Sequence, residues 1–91
     1  MYQSIPAVAH NLGISEELID TFLGKEWITA VQKDGLRFLP RHQQYRIRFI
    51  QHLREKMDLS DEQVSLVLRY EQPPYSLEQV ESILQAHQGA V

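Results

Sequence analysis

Four serines, Ser4, Ser15, Ser60 and Ser76, each stand directly before a stretch whose apolar residues recur at helical spacing. A serine in this position caps a helix, because its hydroxyl accepts a hydrogen bond from a backbone N–H that the first turn leaves unpaired. Four such starts within 91 residues predict a mainly helical protein. They also fix where most of its helices begin.

The first two of these starts lie close together and predict a helix-turn-helix over residues 4–24. The apolar face of the first helix is formed by Ile5, Val8, Ala9 and Leu12. Gly13 supplies the turn, and Ser15 caps the second helix. Its buried stripe is predicted to be Leu18, Ile19, Phe22 and Leu23.

Residues 27–39 predict a β-hairpin that would be the wing of a winged helix. Trp27 to Val31 reads as the first strand, and Leu36 to Leu39 as the second. The Asp34-Gly35 pair between them is a strong signal for a tight hairpin turn. Pro40 then ends the second strand.

Three further helices are predicted over residues 41–57, 60–70 and 76–88, within a single domain spanning residues 1–91. The last two open with capping boxes, Ser60 with Gln63 and Ser76 with Gln79. Pro73-Pro74 separates them and is predicted to set the angle of the last helix. That helix either folds back or docks on a second copy, and folding back is favoured. Core positions are predicted in three sets: Tyr45, Phe49, Ile50, Leu53 and Met57 on the long helix; Val64, Val67 and Leu68; and Leu77, Val80, Ile83, Leu84 and His87 on the last helix.

The four aromatic side chains Trp27, Phe38, Tyr45 and Phe49 are interpreted as part of the core rather than as the lining of a ligand site.

There is no cysteine, and the four histidines have no metal-ligand spacing, so no metal or cofactor is expected. No nucleophile–base pair, phosphate loop or paired-carboxylate cleft is visible, and we expect no catalytic residues and no enzyme. Apolar runs are too short to span a membrane and the start does not resemble a signal peptide, which favours a cytoplasmic protein.

The net charge of −3 conceals three blocks of opposite sign. Residues 1–36 carry five acids and two bases, residues 37–56 six bases and one acid, and residues 57–91 six acids and one base. This layout indicates either internal pairing or a bipolar surface.

Two candidate sites follow from these blocks. Glu16, Glu17 and Asp20 open the second helix, where they either complement the helix dipole or form a protein-binding face. The second candidate is a phosphate-binding set on the hairpin and the long helix, which could instead be a solvated face paired with the acidic helices. It consists of Arg37, Arg41, Arg46 and Arg48.

The order of elements and several short stretches resemble the MerR-type winged helix-turn-helix over roughly residues 4–70. The matching stretches are Ser4-Ile5 with Val8-Ala9, Leu12 to Ser15, Trp27-Ile28, Gly35 to Arg37, and Phe49 to Arg54 leading into Leu59-Ser60. DNA-binding members place an arginine and an aromatic residue where this chain has Asp20 and Thr21. Three acids on that helix would be repelled by the phosphates that line a DNA groove.

Within this fold the chain is most similar to the CbpM-type chaperone modulators. The resemblance lies in Gly13 to Leu18 and in Leu53, Arg54, Glu55 and Leu59. It implies binding to the J-domain of a DnaJ-like co-chaperone, which would block its work with DnaK. J-domains carry a basic helix, which suits an acidic partner. The chain departs from that group at Pro73-Pro74, where the group tends to continue into a long helix.

The leading hypothesis is therefore a protein-binding regulator, a modulator of a DnaJ-like co-chaperone, that is a monomer or weak homodimer. The alternative is a MerR-like DNA-binding transcription regulator. A small structural or antitoxin-like module with a partner from the same operon also remains open.

Overall fold

Five helices and a three-stranded antiparallel sheet make up residues 2–71 and 76–88, the part of the chain that the computed structural model describes. The predicted mainly helical fold class is confirmed. Two compact units divide the chain, Met1–Arg48 and Phe49–Val91. The elements are β1 (Tyr2–Ser4), α1 (Ile5–Leu12), α2 (Glu16–Gly24), β2 (Val31–Lys33), β3 (Leu36–Pro40), α3 (Arg41–Glu55), α4 (Asp61–Tyr70) and α5 (Leu77–Gln88).

The first unit begins with two capped helices around a glycine turn, as predicted. The Ser4 hydroxyl accepts the Ala7 N–H at 3.3 Å, and the Ser15 hydroxyl accepts the Leu18 N–H at 3.1 Å. Gly13 has a φ of 68°, the left-handed conformation that glycine adopts without a steric penalty. The following N–H, of Ile14, can therefore turn back to the Ala9 carbonyl at 3.0 Å.

The hairpin starts four residues later than the sequence predicts. Trp27 and Ile28 are buried but do not belong to a strand, and β2 begins at Val31. The reason is local: Glu26 has a φ of 61°, and the Trp27 N–H donates to the Phe22 carbonyl at 3.0 Å. This bond ties Trp27 to the end of α2. Its indole lies 5.7 Å from the Phe22 ring, between centroids.

A strand that the sequence did not predict completes the sheet, whose order is β1-β3-β2. β1 pairs with β3 so that Gln3 lies opposite Leu39. Leu39 is fully buried whereas Leu36 is exposed, so the inner face of the sheet packs on the core of the first unit. The core of this unit consists of Ile5, Val8, Ala9, Ile19, Phe22, Trp27, Ile28, Leu39 and Ile47.

The buried residues of α3 differ from the predicted set at Tyr45 and at Met57, which is half-buried and lies beyond the end of the helix. Tyr45 was expected in the core but is 50% exposed, and Ile47 is buried instead. Isoleucine has no polar atom to hydrate, whereas the tyrosine hydroxyl needs a partner when buried. Among the other predicted core aromatics, Trp27 and Phe49 are buried and Phe38 is half-buried.

The second unit packs α5 against α4, so the favoured folding back of the last helix is confirmed for the described residues. The predicted caps at Ser60 and Ser76 both form, and at Ser60 the capping box with Gln63 is complete. The buried residues here are Phe49, Ile50, Leu53, Val64, Val67, Leu68, Val80 and Ile83. His87 is exposed and stacks on Tyr70, with 3.9 Å between ring centroids. The predicted break at Pro73-Pro74 lies outside the described residues.

The long helix is two residues shorter than predicted and ends at Glu55. Asp58 has a φ of 53°, and the Leu59 N–H donates to the Leu53 carbonyl at 3.0 Å. The backbone reversal that this bond closes ends the helix before Met57.

Candidate protein-interaction site

The acidic side chains predicted to bind a partner lie on the solvent side of α2. Glu16 and Glu17 form its first turn, directly after the Ser15 cap, and both are exposed. Asp20 follows one turn later and is also exposed. The helix dipole favours carboxylates at this end of a helix, so the pair stabilises α2 while remaining open to solvent.

Asp20 is also part of an ion pair that joins the two predicted site sets. Its Oδ1 atom accepts a hydrogen bond from Nη2 of Arg37 at 2.8 Å, which links α2 to β3. The two side chains are 52% and 49% exposed, respectively, so solvent screens the pair and limits its stabilising effect. One acid of the proposed protein-binding set thus neutralises one base of the alternative phosphate-binding set.

The other three arginines of the phosphate-binding set do not share one environment. Arg46 is half-buried and donates through Nε to the backbone carbonyl of Trp27. Arg41 is exposed and donates through Nε to the Tyr45 hydroxyl at 2.9 Å. Arg48 is exposed on the next turn. Arg37 and Arg46 therefore bind groups on other segments of the chain, whereas Arg41 contacts a residue of its own helix.

An apolar surface that the sequence did not reveal lies on the outer face of the sheet. Tyr2 and Leu36 are each 61% exposed and Val31 is 42% exposed. A groove of about 380 Å³ is lined by Tyr2, Val31, Lys33 and Phe38. It could not be foreseen because Tyr2 reaches this face only through the pairing of β1 with β3. The sequence holds one signal for this surface. Leu36 and Phe38 alternate with Arg37 and Leu39 along β3, which places the first two on the same face of the sheet.

Neither a metal centre nor a membrane span is present in the described part of the chain. Among residues 2–71 and 76–88, no three His, Cys, Asp or Glu side chains are grouped so as to hold a metal ion. No helix in those ranges combines the length and the apolar character needed to cross a bilayer.

Comparison with known proteins adds no family assignment to these surfaces. No family model, curated protein or solved structure matches the chain.

Proposed function

We propose that the first unit is a winged helix-turn-helix of the MerR type and that the chain is a non-enzymatic, protein-binding regulator. Its partner is the J-domain of a DnaJ-like co-chaperone, bound through the acidic face of α2 formed by Glu16, Glu17 and Asp20. This proposal joins the resemblance to the CbpM-type modulators with the exposure of those three carboxylates.

The observation that carries the proposal is the chemistry of the exposed side of α2. In the resemblance, α2 takes the place of the helix that enters the DNA major groove. Here that helix presents the carboxylates of Glu16 and Glu17 in its first turn, and the carboxylate of Asp20 in the next turn. Carboxylates are repelled by phosphates but attract lysine and arginine on a protein partner.

The Asp20–Arg37 ion pair engages one acid of the α2 face and one base of the phosphate-binding set. In the DNA-binding alternative, Arg37 of the hairpin would contact phosphate, but here its guanidinium already holds a carboxylate. Arg46, another member of that set, donates to the Trp27 carbonyl. Of the four arginines in that set, Arg41 and Arg48 remain for duplex DNA, which is few contacts for a charge-driven interaction.

The test is binding of an isolated J-domain to the full chain, measured by titration calorimetry. The Glu16→Lys/Glu17→Lys variant should bind at least about tenfold more weakly, since charge pairs at interfaces contribute on this scale. Wild-type affinity should fall as salt is raised, because screening weakens exposed charges.

A matched control is available on α4. Asp61 and Glu62 also follow a serine cap directly, in the first turn of their helix. Asp61→Lys/Glu62→Lys therefore imposes the same charge change and the same dipole penalty away from α2. Equal J-domain affinity for wild type and the Glu16/Glu17 variant would exclude the acidic face as the site. Duplex DNA binding at low salt, lost on Arg41→Ala/Arg48→Ala, would instead favour the transcription-regulator alternative.

A further inference from the structure

Three exposed side chains form a stripe along one side of α3 in the first unit: Arg41, Tyr45 and Arg48, called the α3 stripe below. They are spaced by four and three residues, so they lie above one another on the helix surface. Tyr45 is 50% exposed, whereas Ile47 of the same helix is buried.

The α3 stripe is ordered within the free chain. Arg41 Nε donates to the Tyr45 hydroxyl at 2.9 Å, and the guanidinium carbon lies 5.5 Å from the centre of the tyrosine ring. These contacts restrict two long side chains before any partner arrives, which lowers the entropy cost of binding. They leave the terminal nitrogens of Arg41 and the hydroxyl proton of Tyr45 as donors for an incoming anion.

The stripe carries positive charge that the first unit does not neutralise. Residues 41–48 contain no acid, and within the described residues of that unit neither Arg41 nor Arg48 forms an ion pair. Arg41 also stands at the start of α3, where the helix dipole disfavours a cation. α2 and α4 both carry acids in that turn. The contacts with the neutral Tyr45 side chain do not cancel this charge, and a local preference broken in this way is typical of a functional surface.

We propose that the α3 stripe is a docking surface for an acidic amphipathic helix of a protein partner. Arg41 and Arg48 are seven residues apart, a rise of about 10.5 Å along the helix. A partner helix with two carboxylates seven residues apart has the same spacing, and an apolar side chain between them would lie on the Tyr45 ring. Arginine and tyrosine are also the residue types that contribute most to protein interfaces. This surface is separate from the acidic face of α2 and does not depend on the proposed J-domain partner.

Charge favours a protein helix over a nucleic acid as the occupant. The stripe contributes two arginines. Two neutralised phosphates give weak binding, because nucleic-acid affinity grows with the number of such contacts. Two carboxylates fixed on a helix match the two arginines one to one.

The test uses a short alanine-based helical peptide with two glutamates seven positions apart and a leucine four positions after the first. It is titrated into the ¹⁵N-labelled full chain at low salt and followed by NMR. We expect saturable shift changes centred on residues 41–48. Arg41→Ala/Arg48→Ala should weaken binding about tenfold, and so should glutamine in place of both glutamates in the peptide.

The control variant, Lys33→Ala/Arg69→Ala, removes two exposed cations elsewhere and should bind the peptide like wild type. Lack of saturable peptide binding would overturn the proposal, as would equal weakening in the control variant. Tighter binding of a single-stranded oligonucleotide than of the peptide at the same residues would also overturn it. Tyr45→Phe, which keeps the ring but removes the hydroxyl that accepts from Arg41, should give an intermediate affinity.

Discussion

Asp20 of α2 and Arg37 of β3 lie 2.8 Å apart, carboxylate oxygen to guanidinium nitrogen, and tie the second helix to the hairpin. Because both are half exposed, we expect a double-mutant cycle with Asp20→Ala and Arg37→Ala to give a coupling free energy of about 0.2–1 kcal/mol. The coupling should decrease as salt is raised. Urea unfolding of the four proteins measures it, and a coupling that is independent of salt would argue against a screened surface pair.

Two glycines, one after α1 and one at the end of α2, should respond differently to substitution by alanine. Gly13 has a φ of 68°, so Gly13→Ala should destabilise the protein by about 1–2 kcal/mol. Gly24 ends α2 without a positive φ and has open space around its Cα. Gly24→Ala should be neutral or stabilise by up to about 1 kcal/mol. Thermal unfolding compares them, and equal effects would contradict the glycine-dependent turn.

Side chains alternate between the two faces of β3, so substituting Leu36 and substituting Leu39 should change the free energy of unfolding by very different amounts. Leu39 is fully buried, so Leu39→Ala should cost about 2–5 kcal/mol. Leu36 is 61% exposed, so Leu36→Ser should change the unfolding free energy by no more than about 0.5 kcal/mol. If Leu36→Ser proved as costly as Leu39→Ala, the outer face of the sheet would have to be covered in solution.

The stacked rings of Tyr70 and His87 give a spectroscopic prediction for the second unit. Their planes differ by 5° and their centroids are 3.9 Å apart. The His87 ring protons should therefore resonate upfield of random-coil positions, and Tyr70→Leu should remove this shift. The same substitution should cost about 0.5–1.5 kcal/mol, the usual contribution of an aromatic pair. Unshifted His87 protons in the wild-type spectrum would show that the rings do not stack.

Local signals in the sequence were sufficient for where the helices begin but not for the whole sheet. Ser4, Ser15, Ser60 and Ser76 act through bonds to residues three positions away, so they can be read in a short window. β1 depends on pairing with a strand more than thirty residues away, which a local pattern does not encode. The prediction of a strand at Trp27 was wrong, because no residue pattern indicates the hydrogen bond from its N–H to the Phe22 carbonyl.

For the candidate sites too, the sequence indicates local features but not contacts between distant residues. The charges of Glu16, Glu17 and Asp20 and their place on α2 could be predicted from the sequence. It left open whether the acidic and basic blocks pair within the chain, and for Asp20 and Arg37 they do. Whether Tyr45 or Ile47 is buried depends on how α3 is rotated about its own axis. The spacing of apolar residues along the helix does not determine that rotation.

The shortness of β2 bears on how the protein avoids aggregation. This strand has three residues, all exposed, and no strand among the described residues pairs with its outer edge. A long flat edge next to exposed Leu36 and Val31 would be a template for adding chains into a fibril. An edge of three residues that ends in Lys33 offers few backbone bonds and brings like charges together when two copies meet. The β2 edge therefore offers little template for adding further strands beside these exposed apolar side chains.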